Sequence, residues 1–279
     1  MRRNSSTPLL RAAADAPPAG KDGAPYDSIR PHLQTFDLVF FRGNWPFSKL
    51  IMAAEDLVDG IGAGQFSHVG LVVRGDAFPP TSPYYTAPGA GNAVYVFESQ
   101  NSADDGVANV HGTTMFGVQL RNLDLVVAAY DRFPDTKLAW ARMLKTRRPS
   151  MDGWPVVFAR YDGHLYDSWL DLAADTFCCL RPLRWLVRSC CCCCPCADNS
   201  NERQICSEIV ANTLRDLGAL PPGVNPENVI PSDFLEKPGG GATFDSDGEI
   251  PVLFEPAVVF TMYPKPGAAY DAESCNCGQ

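Results

Sequence analysis

The chain has 279 residues and a mass of 30.3 kDa, a length that one large domain or two small ones would fill. Hydrophobic residues make up 46% and charged residues 20%, as in a protein that buries a sizeable core, and no apolar stretch reaches the roughly 18 residues of a membrane-spanning helix. The 32 acidic side chains outnumber the 23 basic ones, so the formal net charge of −9 argues against nucleic acid as a partner.

The two ends of the chain differ in composition from its middle. Residues 1–28 are rich in Ala, Pro, Ser and Gly and show little apolar periodicity, which predicts a disordered N-terminal tail. We predict a single domain over residues 29–265 with a cysteine-rich insertion at about 178–200. Residues 266–279 are predicted to form a flexible C-terminal tail.

The start of the chain lacks the features of a targeting segment. Arg2 and Arg3 are not followed by the apolar core of a secretory signal, and Asp15 argues against a transit peptide. Six of the eleven cysteines crowd into seven positions, unlike the regular spacing of a disulfide framework. We therefore expect a reducing, intracellular compartment.

Four strands are predicted in the first half of the chain. The run FDLVFF at residues 36–41 predicts a buried strand. A helix ending near Gly60 should follow, because apolar residues recur there at helical spacing: Phe47, Leu50, Ile51, Ala54 and Val58. Gly- and Pro-bearing turns separate three further strands, which favours an antiparallel sheet. These strands are predicted over residues 66–73 (FSHVGLVV), 93–99 (AVYVFES) and 123–130 (LDLVVAAY).

The second half of the chain is predicted to be mainly helical. A helix is expected over residues 135–147, and an apolar stripe predicts another over residues 166–177. A further helix over residues 204–217 should end at Gly218, since glycine tolerates the left-handed helix cap. A late strand is expected over residues 257–262. Helices that flank a run of strands, rather than alternate with them, indicate an α+β fold.

The helix over residues 204–217 carries a cysteine in its first turn. Cys206 shares an apolar stripe with Val210 and Leu214, so its thiol should face the sheet. The helix dipole and the unpaired first-turn N–H groups stabilise a thiolate and could hold a developing oxyanion. A cysteine at this position can also serve only as a small buried apolar residue of the core, and that interpretation stays open at this point.

Two predicted strands each carry one polar residue in an apolar row. The period of two puts His68 on the face of Phe66, and Glu98 on the face of Val96. A buried imidazole or carboxylate needs a partner, and either residue alone is commonly structural. Together with Cys206 they supply the nucleophile, the base and the orienting group of a thiol hydrolase.

Four motifs follow one another along the chain: FDLVFFRG, SHVGLVV, VFES and ICSEIVANTLRDLG. In this order they resemble the circularly permuted branch of the NlpC-like papain fold, which includes bacterial amidase-like proteins, a poxvirus member and relatives of lecithin:retinol acyltransferase. The resemblance covers roughly residues 34–235. Unpermuted papain-like enzymes place the nucleophile's helix before the histidine strand, whereas His68 here precedes both Glu98 and Cys206.

The resemblance implies an antiparallel sheet packed against helices, no cofactor, and roles for three residues. Cys206 corresponds to the nucleophile, His68 to the general base and Glu98 to the residue that orients the imidazole. The thiolate would attack an amide, ester or thioester carbonyl, and water or another acceptor would release the acyl group. The acyltransferase relatives carry a second histidine soon after the first. This chain has none before His111, which favours the amidase-like branch.

Two aromatic residues are weaker candidates for substrate binding. Trp45 in RGNWPFS and Tyr166 in HLYDSW could line an acyl or peptide channel, although core packing is the simpler role for either residue. The histidines outside the candidate site lack the spacing of metal ligands, so no metal is expected there.

The cysteine run has three interpretations. Arg184, Trp185 and Arg188 form a basic, apolar patch suited to a membrane interface, and cysteines beside such a patch are candidates for lipidation. A disordered, compositionally biased loop is an equal alternative. Soft-metal binding is the third, although adjacent cysteines suit tetrahedral zinc poorly. The six residues concerned are Cys190, Cys191, Cys192, Cys193, Cys194 and Cys196.

The sequence favours a cysteine-dependent hydrolase or acyltransferase that acts on a peptide, amidated or lipid-like substrate, and that lies at a membrane surface if the cysteine run is lipidated. One alternative is a catalytically inactive, membrane-associated binding or structural protein on the same fold. Another is a cysteine-rich metal binder whose globular part is a scaffold. The positions of Cys206, His68 and Glu98 relative to one another bear directly on this choice.

Overall fold

A computed structural model describes the chain over residues 23–43, 48–49, 52–53, 65–86, 93–100, 105–133, 136–165, 205–226, 229–235 and 253–262. The predicted helix over residues 166–177, the cysteine-rich insertion and the C-terminal tail lie outside these residues, as do Trp45 and Tyr166. The predicted helix before Gly60 is described at only four positions, which are helical: Ser48, Lys49, Met52 and Ala53.

A seven-stranded sheet forms the centre of the fold. In chain order its strands are β1 (Ala24–Pro25), β2 (Leu38–Arg42), β3 (His68–Arg74), β4 (Val94–Gln100), β5 (Gly117–Asn122), β6 (Lys137–Ala141) and β7 (Val258–Thr261). They lie side by side as β1-β7-β6-β2-β3-β4-β5, and every pairing is antiparallel except that of β1 with β7. Four of the predicted strands are thereby confirmed as β2, β3, β4 and β7.

Helices pack against this sheet, which confirms the α+β class. The helices whose full bounds lie within the described residues are α1 (Tyr26–Ile29), α2 (Leu123–Asp131), α3 (Trp154–Tyr161) and α4 (Cys206–Asp216). Helix α4 confirms the helix predicted over residues 204–217, and Gly218 after it has a φ of 76°, the left-handed value expected of a helix cap. Over the described residues, no helix combines the length and apolar character needed to cross a membrane.

Alternate residues of each strand face two separate hydrophobic cores. On one face of the sheet, Leu71 and Phe97 pack in the core that also holds Val210 of α4. On the other face, Val72 packs in the core that holds Val126 of α2. Side chains two residues apart on a strand share a face, so this alternation decides which helix each polar side chain of the sheet approaches.

Two predicted elements have the wrong type. The strand predicted over residues 123–130 is the helix α2, which begins where the Asn122 side chain accepts a hydrogen bond from the Leu125 N–H at 3.1 Å. The helix predicted over residues 135–147 contains the strand β6, which pairs with β2 on one side and β7 on the other. A strand buried on both faces carries a continuous apolar run, so periodicity does not separate it from a helix.

The predicted boundary of the disordered N-terminal tail, at residue 28, lies too late in the chain. Ala24 pairs with Phe260 of β7, and the side chains of Tyr26 and Ile29 are buried in the core on the α2 side of the sheet. Residues 24–28 therefore belong to the folded part of the chain. A two-residue strand and a single helical turn are too short to produce a periodic signal among the flanking Pro, Ala and Gly residues.

Candidate active site

His68 lies where β3 separates from β4. The pairing of β3 with β2 continues to His68, whereas its pairing with β4 stops at Leu71. Gly70 lies in between, and a Cβ atom there would come within 2.4 Å of Val96 Cγ2 and 3.2 Å of Glu98 Cβ. The missing side chain at Gly70 therefore leaves room for the side chains of β4 beside His68.

Cys206 reaches the same end of the sheet from the opposite side. His68 shares the face of Val72, on the α2 side, while α4 packs on the other face through Val210 and Leu214. Cys206 is the first residue of α4, is 5% exposed, and influences the pKa of His68 through its charge and hydrogen bonding. The two side chains thus meet at the strand end, although their elements belong to different faces.

Local contacts hold the start of α4. The Ser207 hydroxyl donates to the carbonyl oxygen of Val229 at 2.6 Å, which ties the first turn to the segment after the helix. The Ile205 N–H donates to the Glu208 carboxylate at 3.4 Å. The first N–H groups of a helix have no acceptor within it, so Cys206 lies at the positive end of the helix dipole. This geometry favours negative charge at the thiol.

Glu98 joins His68 of β3 to Arg121 of β5, an edge strand of the sheet. The side chain of Glu98 is fully buried, and its Oε2 lies 2.5 Å from Nε2 of His68. Its Oε1 accepts a hydrogen bond from Nε of Arg121 at 2.8 Å. Because Nε2 faces Glu98, Nδ1 is the ring nitrogen left for the Cys206 thiol.

The charges of this cluster stabilise one another. Burial lowers the pKa of His68, but the charge and hydrogen bonding of Cys206 and Glu98 raise it to about 10. Burial raises the pKa of Glu98, but the positive charges of Arg121 and His68 outweigh burial and lower it to about 2. At neutral pH the site therefore holds an ionised Glu98 and a protonated His68.

Arg121 and Asp105 complete the cluster and are not predicted from the sequence. Arg121 is 1% exposed and bridges Glu98 and Asp105, with Nη2 2.7 Å from Glu98 Oε1 and Nη1 2.5 Å from Asp105 Oδ2. The signal that could have revealed it is the alternation in GVQLRN, where Val118 and Leu120 face one core and place Arg121 on the other face. That alternation is short and ends at Asn122, the cap of α2.

One aromatic ring packs against His68 on the α2 side, and a second ring packs against the first. The ring centroid of Phe41 lies 5.5 Å from that of His68 and 4.7 Å from that of Tyr130. Burial, followed by the charge of Glu98, raises the pKa of the Tyr130 phenol above its ordinary value. Tyr130 is therefore a neutral phenol at physiological pH, and the wall that it forms with Phe41 carries no charge.

The structure brings the three predicted catalytic residues together and leaves the next histidine elsewhere. His111 has Nε2 2.8 Å from Asp162 Oδ2 and Nδ1 3.2 Å from the Tyr84 hydroxyl, in an exposed cluster. The predicted substrate-binding residues Trp45 and Tyr166 lie outside the described residues, so their role stays a prediction.

The described residues contain no group of three or more His, Cys, Asp or Glu side chains placed to hold a metal ion. Cys206 is the one cysteine among them. The cysteine run over residues 190–196 lies outside the described residues. Lipidation, a disordered loop and metal binding all stay open as predictions for it.

Fold and site together define an α+β protein whose central sheet ends in a cluster of one cysteine, one histidine and one glutamate. No protein-family model matches the chain, and no curated protein matches it either. What the chain does is therefore inferred from the geometry of this cluster.

Proposed function

We propose that the protein is a cysteine-dependent hydrolase or acyltransferase with a circularly permuted, papain-like fold of the NlpC type. One observation carries the proposal: His68 contacts Glu98 at 2.5 Å and is influenced by the charge and hydrogen bonding of the Cys206 thiol. A thiol at a helix start, beside an imidazole that a carboxylate orients, is the arrangement that activates a cysteine nucleophile.

The topology supports the permuted assignment. Strands β3 and β4, which carry His68 and Glu98, are adjacent and antiparallel, and the helix that carries Cys206 packs on this part of the sheet. Along the chain the histidine comes first and the cysteine last. A papain-like site is recognised by the geometry and roles of its residues rather than by their order, so a permuted chain can build the same site.

The resting site is proposed to be an ion pair. His68 is protonated at neutral pH because its pKa is raised to about 10, with the charge of Cys206 as the largest cause that raises it. The ionised Glu98 lies on the other ring nitrogen and favours the same protonation state. The thiolate of Cys206 therefore needs no separate base when a substrate arrives.

The reaction follows from this ion pair. The Cys206 thiolate attacks the carbonyl carbon of an ester or amide, and a carbon–sulfur bond forms while the carbonyl oxygen becomes an oxyanion near the N–H groups at the start of α4. The carbon–oxygen or carbon–nitrogen bond then breaks, and His68 gives its proton to the leaving group. The neutral imidazole next takes a proton from the acceptor, which attacks the thioester and releases the acyl group and the thiolate.

The acceptor decides between the two activities. Water as acceptor gives a hydrolase, and an alcohol or amine gives an acyltransferase. The proposed substrates are peptides, amidated groups and lipid-like esters inside the cell. A membrane surface as partner depends on lipidation of the cysteine run, which is a prediction from sequence.

The test is to trap the acyl group on Cys206 with p-nitrophenyl acetate, an activated ester. Trypsin cleaves after Arg203 and Arg215 and so releases residues 204–215, a peptide whose one cysteine is Cys206. We expect one acetyl group on this peptide early in the reaction, and much less on the peptides that carry the other cysteines. Cys206→Ala should keep the fold, because the thiol contributes little packing, and should abolish nitrophenol release above background.

Acetylation that is spread evenly over all the cysteines would contradict the proposal. So would release that continues at the wild-type rate in Cys206→Ala. Either result would favour the inactive binding protein on the same fold. A circular dichroism spectrum of each variant shows whether a loss of release reflects the missing thiol or a lost fold.

A further inference from the structure

Arg121 is a buried cation with two carboxylate partners. Its guanidinium lies between Glu98, at 2.7 Å and 2.8 Å, and Asp105, at 2.5 Å. Arg121 lies opposite Val96 in the β4–β5 register, so its side chain leaves the sheet on the face that carries Glu98 and His68. Arg121 is 1% exposed, so its ion pairs lie in the interior of the protein.

The two oxygens of Glu98 have different partners. Oε1 faces Nε and Nη2 of Arg121, and Oε2 faces Nε2 of His68. A carboxylate held through one oxygen by a planar guanidinium has little freedom to rotate. Arg121 therefore sets the direction in which Oε2 points, and that direction is toward the imidazole.

The charges around the cluster come from four elements and one loop. His68 lies on β3, Glu98 on β4, Arg121 on β5 and Cys206 at the start of α4, while Asp105 lies in the loop before β5. The neutral phenol of Tyr130 approaches from α2. With Glu98, Asp105 and the Cys206 thiolate on one side and Arg121 and protonated His68 on the other, the proposed cluster carries one net negative charge.

We propose that Arg121 is the positioning residue of this site: it keeps Glu98 ionised and aimed at Nε2 of His68, and it thereby sets the pH range over which the thiolate–imidazolium pair exists. This inference rests on the proposed function, because it assigns a role to the charge that Glu98 presents to His68. It adds a residue that acts through Glu98 and does not touch the substrate.

Asp105 is the second support of the same guanidinium. Its Oδ2 holds Nη1 of Arg121, and its Oδ1 accepts a hydrogen bond from the Val107 N–H at 3.0 Å. The backbone of Asn109 also bridges to Arg121. The loop before β5 therefore fixes Arg121 from the side away from Glu98.

The experiment measures how the alkylation rate of Cys206 depends on pH. Iodoacetamide reacts with thiolates, and the tryptic peptide over residues 204–215 reports Cys206 separately from the other cysteines. A free cysteine becomes reactive near its ordinary pKa of about 8.5. In the full-length wild-type chain we expect the midpoint of Cys206 alkylation to lie at lower pH than this, because the His68 imidazolium and the helix dipole favour the thiolate.

Arg121→Gln should move this midpoint upward by about 1 to 2 pH units, because Glu98 loses the cation that favours its charge. Arg121→Lys keeps a cation without the planar fork and should move it by less. Arg30→Gln is the matched control. Arg30 makes a two-point ion pair with Asp124 away from the site, at 2.7 Å and 2.9 Å, and its loss should leave the midpoint unchanged.

A wild-type midpoint in folded Arg121→Gln would overturn the inference. If Arg121→Gln does not fold, the comparison is made between Glu98→Gln and the double variant Glu98→Gln with Arg121→Gln. Equal midpoints in these two proteins support action through Glu98, and a further shift in the double variant overturns it.

The failure of the proposed function has a different signature. A wild-type midpoint of alkylation equal to that of a free cysteine would show that Cys206 and His68 form no ion pair, and so would a midpoint that His68→Ala leaves unchanged. With either result the proposed function would fail. The Arg121 inference fails alone when the wild type and His68→Ala behave as expected and Arg121→Gln matches the wild type.

Discussion

Two fully buried carboxylates lie on either side of β3, and their pKa values are shifted in opposite directions. Asp37, next to the first residue of β2, and Glu98, on β4, each contact an arginine at 2.7 Å. Burial outweighs the effect of Arg148 at Asp37 and raises its pKa. At Glu98 the charges of Arg121 and His68 outweigh burial, and its pKa falls to about 2.

The partners of Asp37 explain its state. Its two oxygens accept hydrogen bonds from the backbone N–H groups of Gln34 and Met143, from the Trp140 indole and from Arg148. Three of these four donors are neutral. Asp37 therefore joins a turn, a strand and a loop by hydrogen bonds, and none of its partners titrates near neutral pH.

The partners of Glu98 explain why it differs. One oxygen meets a permanent cation and the other meets a histidine, whose charge depends on its surroundings. The histidine in turn lies beside a thiol. A buried carboxylate paired with an arginine thus occurs both in the candidate site and in a purely structural hydrogen-bond network. The candidate site differs because the carboxylate also contacts a titratable histidine that lies next to a nucleophile.

Removing the imidazole should have the largest effect, because it takes away the feature that sets Glu98 apart from Asp37. We expect His68→Ala to slow acetylation of Cys206 by p-nitrophenyl acetate about 10²- to 10⁴-fold. The rate is measured on the peptide over residues 204–215. His111→Ala removes an exposed histidine that is also paired with a carboxylate, and its rate should equal that of the wild type. Equal slowing by His68→Ala and His111→Ala would show that His68 has no special role in the reaction.

Neutralising the two carboxylates should separate catalysis from stability. We expect Glu98→Gln to slow acetylation about 10²-fold, because the new amide donates to Nε2 and leaves the ring proton on Nδ1, facing Cys206. We expect Asp37→Asn to leave the rate unchanged and to lower the free energy of unfolding by about 1 to 3 kcal/mol, because its amide nitrogen would face hydrogen-bond donors. Urea unfolding and the acetylation rate of each variant test both expectations, and a slowed reaction in folded Asp37→Asn would contradict them.

The pH dependence of stability should differ in sign between the two carboxylates. The pKa of Glu98 is lowered from 4.5 to about 2, so its contribution is complete above pH 4.5 and is lost as the pH falls toward 2, by at most about 3 kcal/mol. The pKa of Asp37 is raised above 3.8, so its ionisation destabilises the fold increasingly as the pH rises through that value. As the pH rises from about 2 to 4.5, the stability difference between wild type and Glu98→Gln should therefore grow, and as the pH rises above 3.8 that between wild type and Asp37→Asn should shrink. If the stability differences of the two variants from wild type changed with pH in the same direction, these opposite pKa shifts would be refuted.

Several elements were predictable because their signals are local. The alternation in β3 and β4 and the stripe of α4 depend only on which residues lie two, three or four positions apart. The same periodicities identify His68 and Glu98 as polar residues in apolar rows, and Cys206 as the first-turn residue of a helix. The α+β class follows from these elements and their order.

Other elements depended on neighbours that are distant in the chain. The run that forms α2 contains Val126, Val127 and Tyr130, which favour a strand, but Asn122 caps it and its apolar side chains fill the core beside Val72. The run that forms β6 is a strand because β2 and β7 pair with it from both sides. Tertiary contacts of this kind override local preference when the free energy of packing exceeds the small differences in propensity.

The sequence by itself determined the three residues of the candidate site, their order along the chain and the strands and helix that carry them. The tertiary structure alone decided that β3 separates from β4 beside Gly70, so that Cys206 meets His68 although their elements lie on opposite faces of the sheet. It also decided that Arg121 and Asp105 complete the cluster. The reason is physical: periodicity reports the face on which a side chain lies, whereas charge pairing and strand separation depend on distances between segments that no local pattern encodes.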